Sequence, residues 1–341
     1  MTIKPRHFVG LHAHSNFSVG DAIGLPQEHI DFALSNGMDG IALTDHGSMN
    51  GISHQQLHVK KLAGKGVNFK AIPGVEAYFI DSLSDWKVLL QDQKETKRLE
   101  KALASGKTEE IAPEETEDGG TIVEVESETK GTSKFSDPIT QRSHLVLLPK
   151  NNEGLKSLFR MVSESYISGL YRYPRMDFDI LRRHANGNVI ASSACLGGRL
   201  SRIVFNHQDQ SVPWEDWTVN NSNLEVIQRE LKEVSDKFVE VLGGPENFYL
   251  ELQFNNLGAQ HLVNYHLMEL AKRTGLKMVV TVDSHYSRPE HWREREIYKA
   301  MAWASKTKGT VDPSTLPEDV SQLKCQLYPK NAEQLDRKST V

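Results

Sequence analysis

The feature that most restricts the fold of this chain is a regular alternation between short apolar runs and helical segments. The runs are HFVGLHAH, MDGIALTDH, FKAIPGVEAYFI, SHLVLLPK, GNVIASSACLGG, NFYLELQF and LKMVVTVDSH. Helical segments separate them, such as LPQEHIDFALSNG, with Pro26 near its start and Gly37 just past its end. This alternation predicts a parallel α/β fold. About seven strands favour a distorted (β/α)7 barrel, and an open doubly wound sheet is the alternative.

The segment from residue 82 to residue 142 interrupts this alternation. It starts with the charged, amphipathic WKVLLQDQKETKRLEKALASG, and nine acidic residues then lie between Glu109 and Glu128 without a lysine or arginine. Such a composition buries too little apolar surface to offset the entropy lost on ordering. We therefore expect a charged, largely flexible insertion within one domain that covers residues 1–304. Residues 305–341 form a polar tail.

The composition is that of a cytoplasmic protein. No apolar run reaches the length of a membrane span, and two cysteines, Cys195 and Cys325, imply no disulfide framework. The formal charge of −5 becomes +4 when the acidic run is left out. A mildly basic body is compatible with a phosphate-bearing substrate, but it is far from a strong nucleic-acid footprint.

Side chains that bind metals recur at the ends of the predicted strands. Because side chains alternate along a strand, His12 and His14 project to one face, and Asp283 and His285 do the same. In parallel α/β barrels the active site is built at the C-terminal ends of the strands. Imidazole, carboxylate and thiolate groups that converge there suit a divalent transition metal. The candidates are His12, His14, Asp21, His46, Glu76, His144, Cys195, Asp283 and His285.

The motifs around these candidates resemble a known family. LHAHSNFSVGD, ALTDHGSMNG, PGVEAY, HLVLLPKNNEG, SSACLGG and VDSHY are similar to motifs of the PHP (polymerase and histidinol phosphatase) domain. GLYRYPRMDFDILRRHANGNVIASSACLGGRLSRIV is closer to the N-terminal PHP domain of bacterial DNA polymerase III alpha subunits than to free-standing phosphatases. The resemblance covers about Phe8 to Trp303, apart from the insertion. It implies that residues 305–341 begin a linker to a polymerase region that this chain lacks.

The resemblance also implies a centre of three divalent metal ions, which would be zinc, manganese or iron. Three groups would hold them: His12, His14, Glu76 and Asp283; Glu76, His144 and Cys195; and Asp21, His46 and His285. Glu76 would bridge the first two ions. Many polymerase PHP domains lack some of these ligands, whereas all nine are present in this sequence.

Two further residues are predicted to take part in catalysis. Asp45 precedes His46 and would orient a metal ligand, or it would satisfy local backbone groups. Arg175 lies in GLYRYPR, where aromatic and cationic side chains mix as they do in single-strand binders. We predict that Arg175 holds a substrate phosphate; the alternative is an ordered loop with snorkelling arginines.

These features are together interpreted as a metal-dependent 3′→5′ exonuclease of the proofreading kind, acting in DNA replication. Three divalent ions outweigh the acidic ligands in charge, which suits a phosphodiester. The expected partners are single-stranded or frayed DNA 3′ ends and the remainder of a split polymerase or other replication proteins, with no membrane. No polymerase activity is expected from this chain alone.

Two alternatives to an exonuclease stay open. One is a small-molecule phosphatase of the histidinol-phosphate type, which the polymerase-like neighbours of Cys195 disfavour. The other is a non-catalytic structural module of a split polymerase, which the complete set of nine ligands disfavours.

Overall fold

A computed structural model describes residues 7–104, 137–219, 223–302 and 316–339. Contacts divide the chain into two units, of which the first comprises Met1–Asp81 with Ser143–Val341 and the second comprises Ser82–Arg142. The acidic run between Glu109 and Glu128, on which the predicted flexibility of the insertion mainly rests, lies outside the described residues.

Strands and helices alternate along most of the first unit, as the apolar runs predict. The strands are β1 Val9–Gly10, β2 Gly40–Leu43, β3 Lys70–Pro73, β4 Val75–Phe79, β5 Ser143–Pro149, β6 Leu170–Tyr171, β7 Tyr173–Met176, β8 Val189–Ser192, β9 Phe248–Gln253 and β10 Lys277–Thr281. The helices are α1 Pro26–Ser35, α2 Ile52–Gly64, α3 Leu83–Ala104, α4 Asn152–Ser168, α5 Phe178–His184, α6 Arg199–Asn206, α7 Leu224–Leu242, α8 Gly258–Thr274, α9 Trp292–Ala302 and α10 Ala332–Ser339.

The described strands form two sheets with a mixed, parallel-rich topology. One sheet has the order β1-β2-β3 and is parallel throughout. The other has the order β10-β9-β8-β5-β4-β7-β6. Isolated parallel bridges join Ala13 to Ser284 and His46 to Glu76. The fold class α/β is therefore confirmed, whereas the strand pairings among the described residues do not form one continuous closed barrel.

Strand β5 departs from the parallel arrangement that the sequence predicts. It runs antiparallel to both of its neighbours, β4 and β8. The first residues of β5 therefore lie at the same edge as the last residues of β8. This explains why His144, at the start of a strand, reaches the same edge as Cys195, which follows the end of one.

The run FKAIPGVEAYFI, predicted as a single strand, is divided at Gly74 into β3 and β4, which belong to different sheets. A Cβ atom at Gly74 would lie 2.6 Å from Leu148 Cδ2 and 2.9 Å from Thr44 Cγ2. A glycine is thus required where the chain passes from one sheet to the other. The division places Glu76 on the strand that borders β5.

The cores of the first unit lie beside the strand residues that precede the candidate ligands. Helix α1 buries Ile30 and Ala33 against Ile41 of β2 and Phe69. A second cluster contains Ala42, Val146, Leu148 and Ala194. Packed apolar side chains thus fix the positions of the strand ends without using the candidate ligands themselves.

The polar tail contains more structure than its composition suggests. The carbonyl of Leu327 accepts the backbone N–H of His285 at 2.7 Å and that of Tyr286 at 3.2 Å. The backbone N–H of Leu327 in turn donates to the Tyr286 hydroxyl at 2.9 Å. The apolar return CQLYPKN therefore packs as part of the first unit, next to a candidate ligand.

The described part of the second unit begins with α3. Trp86 of this helix is buried, and its indole N–H donates to the carbonyl of Ile139 at 3.0 Å. This contact brings the beginning and the end of the insertion together. Among the helices of residues 7–104, 137–219, 223–302 and 316–339, none is both long and apolar enough to cross a bilayer.

Candidate metal centre

Glu76 lies at the middle of the candidate ligands. Its Oε1 is 3.1 Å from His12 Nε2, and its Oε2 is 2.7 Å from His46 Nδ1 and 3.1 Å from His144 Nδ1. His14 Nε2 is 3.5 Å from the same Oε2. Only 1% of Glu76 is exposed, because β4 is buried along its whole length. One carboxylate is thus shared by four imidazoles, as a bridging ligand requires.

Asp283 faces the two histidines that leave β1. Its Oδ1 is 3.2 Å from His12 Nε2 and 3.2 Å from His14 Nε2. Asp283 has a φ of +59°, in the left-handed region that non-glycine residues rarely occupy. This backbone conformation after β10 turns the carboxylate toward the histidines, and such strain persists at sites that the surrounding structure determines strongly.

Cys195 lies beside Glu76 and His144. Its Sγ is 3.5 Å from His144 Nδ1 and 3.7 Å from Glu76 Oε1. Ala194, the residue before it, also has a φ of +59°, and the backbone N–H of Gly197 donates to Sγ at 3.4 Å. The turn after β8 therefore presents the sulfur to the two neighbouring candidate ligands.

Asp21 forms the remaining side of the site. Its Oδ2 is 3.3 Å from both His46 Nε2 and His285 Nε2. Arg295 of α9, itself buried, donates to the other oxygen of Asp21 at 2.6 Å and to its backbone carbonyl at 2.8 Å. Arg295 thus fixes the Asp21 carboxylate with one oxygen turned toward two imidazoles.

All nine candidate ligands therefore belong to one continuous set of contacts, here called the ligand cluster. Within it, three trios have ligand atoms that all lie within 4.8 Å of one another. The trios are His14, His46 and His285; His12, His14 and Asp283; and His46, Glu76 and His144.

Three buried atoms of the ligand cluster test whether cations fit there. Glu76 Oε2, Asp283 Oδ1 and His46 Nδ1 make no hydrogen bond of acceptable geometry within the described residues, although other candidate ligands lie close to each of them. A buried polar atom without a partner costs free energy, and a buried charge requires pairing or coordination. Oxygen and nitrogen atoms that approach one another without well-formed hydrogen bonds are what a coordinated cation would satisfy. The residues present therefore fit divalent metal ions.

The hydrogen bonds of Ser18 determine which nitrogen of His14 faces the ligand cluster. The Ser18 hydroxyl has one proton, which it donates to Asp45 Oδ1 at 2.8 Å. Ser18 Oγ therefore accepts from His14 Nδ1 at 2.9 Å and from the backbone N–H of His46 at 3.1 Å. His14 is thus held with Nε2 directed at Asp283 and Glu76. His285 has the same orientation, because its Nδ1 donates to the carbonyl of Asp283 at 2.8 Å.

Glu251 is a residue of this region that sequence reasoning missed. It lies on β9, is buried, and its Oε1 is 2.7 Å from His12 Nδ1. The only sequence signal was an acidic residue inside the apolar run NFYLELQF. Its strand partners, and therefore its contact with His12, depend on long-range pairing.

The two residues predicted to take part in catalysis lie in different surroundings. Asp45 accepts from the backbone N–H and the hydroxyl of Ser15 and from Ser18, which places it one hydroxyl group away from His14. These contacts are compatible with both sequence interpretations of Asp45, and its role in catalysis stays a prediction.

Arg175 is not brought into the ligand cluster. Its side chain is fully buried, and its guanidinium donates to the carbonyls of Tyr171 and Tyr173 at 2.7 and 3.1 Å. A guanidinium enclosed in this way stabilises the turn between β6 and β7. In this enclosed position Arg175 is not placed to hold a substrate phosphate, which corrects the prediction from the sequence.

Comparison with known proteins decides the family. A model of the PHP domain matches residues 10–255, which is more than half of the chain. The chain belongs to the PHP domain family. The resemblance seen in the sequence motifs is thereby confirmed.

This PHP chain is similar to DNA polymerase III alpha subunits. It is 30% identical over 309 residues to that of Treponema pallidum, with 91% of this chain and 20% of the relative covered. It is 29% identical over 296 residues to that of Aquifex aeolicus, with 87% and 20% covered. The subunit of Thermus aquaticus is 30% identical over 307 residues, with 89% and 19% covered. The chain thus spans about a fifth of the length of these relatives.

Two solved structures show a weaker similarity to the PHP chain. A crystal structure of a protein described as a metal-dependent phosphoesterase, from Bifidobacterium adolescentis, gives a TM-score of 0.39 at 13% identity, covering 84% of this chain and 91% of that one. An amidohydrolase from Chromobacterium violaceum gives a TM-score of 0.38 at 14% identity, covering 85% and 96%. Scores this low do not establish a shared fold.

The electrostatics of the metal-free PHP site separate its histidines into two kinds. Burial and the neighbouring His46 and His285 lower the pKa of His14 to about 3, so His14 is neutral and its Nε2 offers a lone pair. Burial also disfavours a charged His46, but the charge of Glu76, a hydrogen bond to Asp21 and the charge of Asp21 outweigh it and raise the pKa to about 10.

The pKa values of Glu76 and Cys195 are shifted in opposite directions. Burial would raise the pKa of Glu76, but His144, His12 and His46 outweigh it and hold that pKa well below its usual value. Burial, Glu76 and Asp283 raise the pKa of the Cys195 thiol well above its usual value. Cys195 is therefore a thiol in the metal-free protein, and a bound metal would have to displace its proton.

Zinc binding is expected to tighten as the pH rises from 6.5 toward 10. The folded-state pKa of His46, about 10, lies above its usual 6.5, so the protonated ring stabilises the metal-free fold below pH 6.5 and this contribution is lost as the pH rises through 10. Because an ion must displace that proton, affinity should rise about tenfold per pH unit for each proton released. Competition titrations with a zinc-buffering chelator at several pH values measure this slope.

A matched pair of variants tests whether His46 causes the pH dependence of zinc affinity. His46→Gln should reduce the slope by about one proton. His58→Gln should leave it unchanged, since His58 pairs with Asp31 on α1 at 2.6 Å and is not part of the ligand cluster. A slope of zero in the wild-type protein would contradict the proton competition.

Proposed function

We propose that this PHP chain is a metal-dependent phosphodiesterase that removes nucleotides from DNA 3′ ends. The observation that carries the proposal is the convergence of buried ligand-type atoms in the ligand cluster, among which those of Glu76, Asp283 and His46 approach one another or other candidate ligands without hydrogen bonds of acceptable geometry. A module that served only as a structural platform would not need to retain buried polar atoms that lack good hydrogen bonds.

We propose that the nine residues of the ligand cluster hold three divalent ions. His14 and His285 would offer Nε2, because their Nδ1 atoms are held by Ser18 and by a backbone carbonyl. Glu76 would bridge ions, since its two oxygens face different imidazoles. When bound, such ions acidify a water and stabilise the charge of a phosphoryl group.

We further propose a distorted barrel-like arrangement of the two sheets with the site at its rim. The bridges Ala13–Ser284 and His46–Glu76 support it, because they link the first sheet to strands of the second beside the ligand cluster. A rim position admits one strand more easily than a stacked duplex, so single-stranded or frayed ends are the favoured substrate.

The DNA substrate and the replication setting are supported by the relatives. These are DNA polymerase III alpha subunits, and the chain matches a fifth of their length. We propose a cytoplasmic protein that acts with the remainder of a split polymerase or with other replication proteins.

The test uses a primer–template with a 5′ label and a 3′ mismatch on the primer. The chain, supplied with Mn²⁺ or Zn²⁺, is expected to shorten the primer stepwise both with and without nucleotides. His12→Ala should shorten it at least about a thousandfold more slowly, because it removes a ligand while the cores remain intact.

Other outcomes of this test would indicate a different function. An unchanged primer together with rapid phosphate release from a small phosphomonoester would indicate a phosphatase. Metal binding without either activity would indicate a structural module. Primer extension would contradict the expectation that this chain has no polymerase activity of its own.

A further inference from the structure

Glu251 occupies a distinctive position behind the ligand cluster. It is 1% exposed and lies on β9 between β8 and β10. Val279 of β10 is the register partner of Glu251. The backbone N–H of Glu251 donates to the hydroxyl of Ser193, which directly follows β8, at 2.9 Å. Strands on both sides therefore hold its backbone in place.

The carboxylate of Glu251 receives donors from both neighbouring strands. Thr281, the last residue of β10, donates to Oε1 at 2.5 Å, and Gln253 donates to the same oxygen at 3.0 Å. Ser192, the last residue of β8, donates to Oε2. A carboxylate held by three donors is oriented before any ion binds, and its buried charge is satisfied.

The remaining partner of Glu251 is His12. The Nδ1 of this ring lies 2.7 Å from Oε1, whereas its Nε2 faces Glu76 at 3.1 Å and Asp283 at 3.2 Å. Glu251 and the ligand cluster therefore contact opposite nitrogens of one imidazole. An Nδ1–H donated to a carboxylate leaves the Nε2 lone pair for coordination and makes it more basic.

We propose that Glu251 is a positioning residue that fixes the orientation and tautomer of His12 for metal binding. This inference rests on the proposed metal centre. It concerns one ion specifically, because His12 belongs to a single trio, with His14 and Asp283. Loss of Glu251 should lower the affinity for that ion by about 10–100-fold, the usual effect of removing such a partner. The affinities for the other ions should stay within about twofold.

The test measures stepwise zinc binding by equilibrium dialysis with elemental analysis. In Glu251→Gln, which keeps the size of the side chain and removes its charge, one zinc per chain should bind 10–100-fold more weakly than in the wild type. In zinc-loaded protein, the His12 Nδ1–H proton resonance should also move upfield, because its charge-assisted hydrogen bond is lost. If the role of Glu251 were purely structural, Glu251→Gln would neither weaken the binding of one zinc ion selectively nor shift this resonance.

A matched control comes from a second carboxylate–histidine pair. Glu164 Oε2 lies 2.6 Å from His184 Nε2, and neither residue belongs to the ligand cluster. Glu164→Gln should bind zinc as the wild type does. Equal losses in Glu164→Gln and Glu251→Gln would overturn the positioning role.

A milder variant keeps the test decisive if Glu251→Gln fails to fold. Thr281→Val retains shape and the charge of Glu251 but removes one donor from Oε1. It should weaken the same ion by roughly threefold to tenfold. Unchanged affinity in a folded Glu251→Gln, or in Thr281→Val when Glu251→Gln does not fold, overturns this inference alone. Absence of zinc binding by the wild type overturns the proposed function with it.

Discussion

Glu76→Gln is expected to fold and to lose phosphodiester hydrolysis by at least about a thousandfold. The amide keeps the volume of a side chain that is enclosed on β4, but it removes the charge that four imidazoles face. A bridging carboxylate contributes to more than one ion, and each ion supplies several kcal/mol of transition-state stabilisation. About 4 kcal/mol corresponds to a thousandfold in rate.

The measurement combines circular dichroism, zinc content and single-turnover hydrolysis of a labelled oligonucleotide. Asp283→Asn is a second variant, since asparagine tolerates the positive φ at that position. Glu153→Gln is the control, because Glu153 forms an exposed pair with Lys156 on α4. Wild-type hydrolysis by a folded Glu76→Gln protein would contradict the assignment of the site.

Removal of metal is expected to abolish hydrolysis and to lower thermal stability. Zinc that binds the folded ligand cluster and not the unfolded chain stabilises the fold, and chelation removes this contribution. Zinc at a hundred times its dissociation constant should restore about 2.7 kcal/mol per site. For a chain of 341 residues that corresponds to a rise in the melting temperature of roughly 4 °C per site.

Differential scanning fluorimetry before and after chelation, followed by zinc re-addition, measures the effect. The shift should depend on zinc concentration and should be strongly reduced in Glu76→Gln. Magnesium, which prefers octahedral oxygen ligands, should restore less stability than zinc. An identical melting temperature in chelated and zinc-loaded protein would show that these residues hold no ion.

The candidate site was largely predictable because its signals are local. His12 and His14 closely follow one strand, and Asp283 and His285 closely follow another, so the ends of two strands that the sequence predicts carry four of the candidate ligands. The structure places all nine predicted ligands in one set of contacts. Their coordination of three ions stays a prediction.

Other outcomes depended on contacts between residues far apart in the chain. Arg175 was expected at the mouth of the site because of its aromatic neighbours, yet it is buried against the carbonyls of Tyr171 and Tyr173. Glu251 was missed because its contact with His12 joins residues 239 positions apart. Composition and spacing do not report which strand borders another, so neither outcome could be read from the residues alone.

By itself, the sequence determined the α/β class, many of the helix and strand segments and the types of ligand atoms, because periodicity and side-chain chemistry are local properties. Tertiary structure alone decided the antiparallel direction of β5, which brings His144 to the edge where Cys195 lies. It also decided the positive φ of Asp283 and Ala194, which turns two candidate ligands inward. Strand direction and backbone strain arise from the packing of the whole chain, and no short stretch of sequence encodes them.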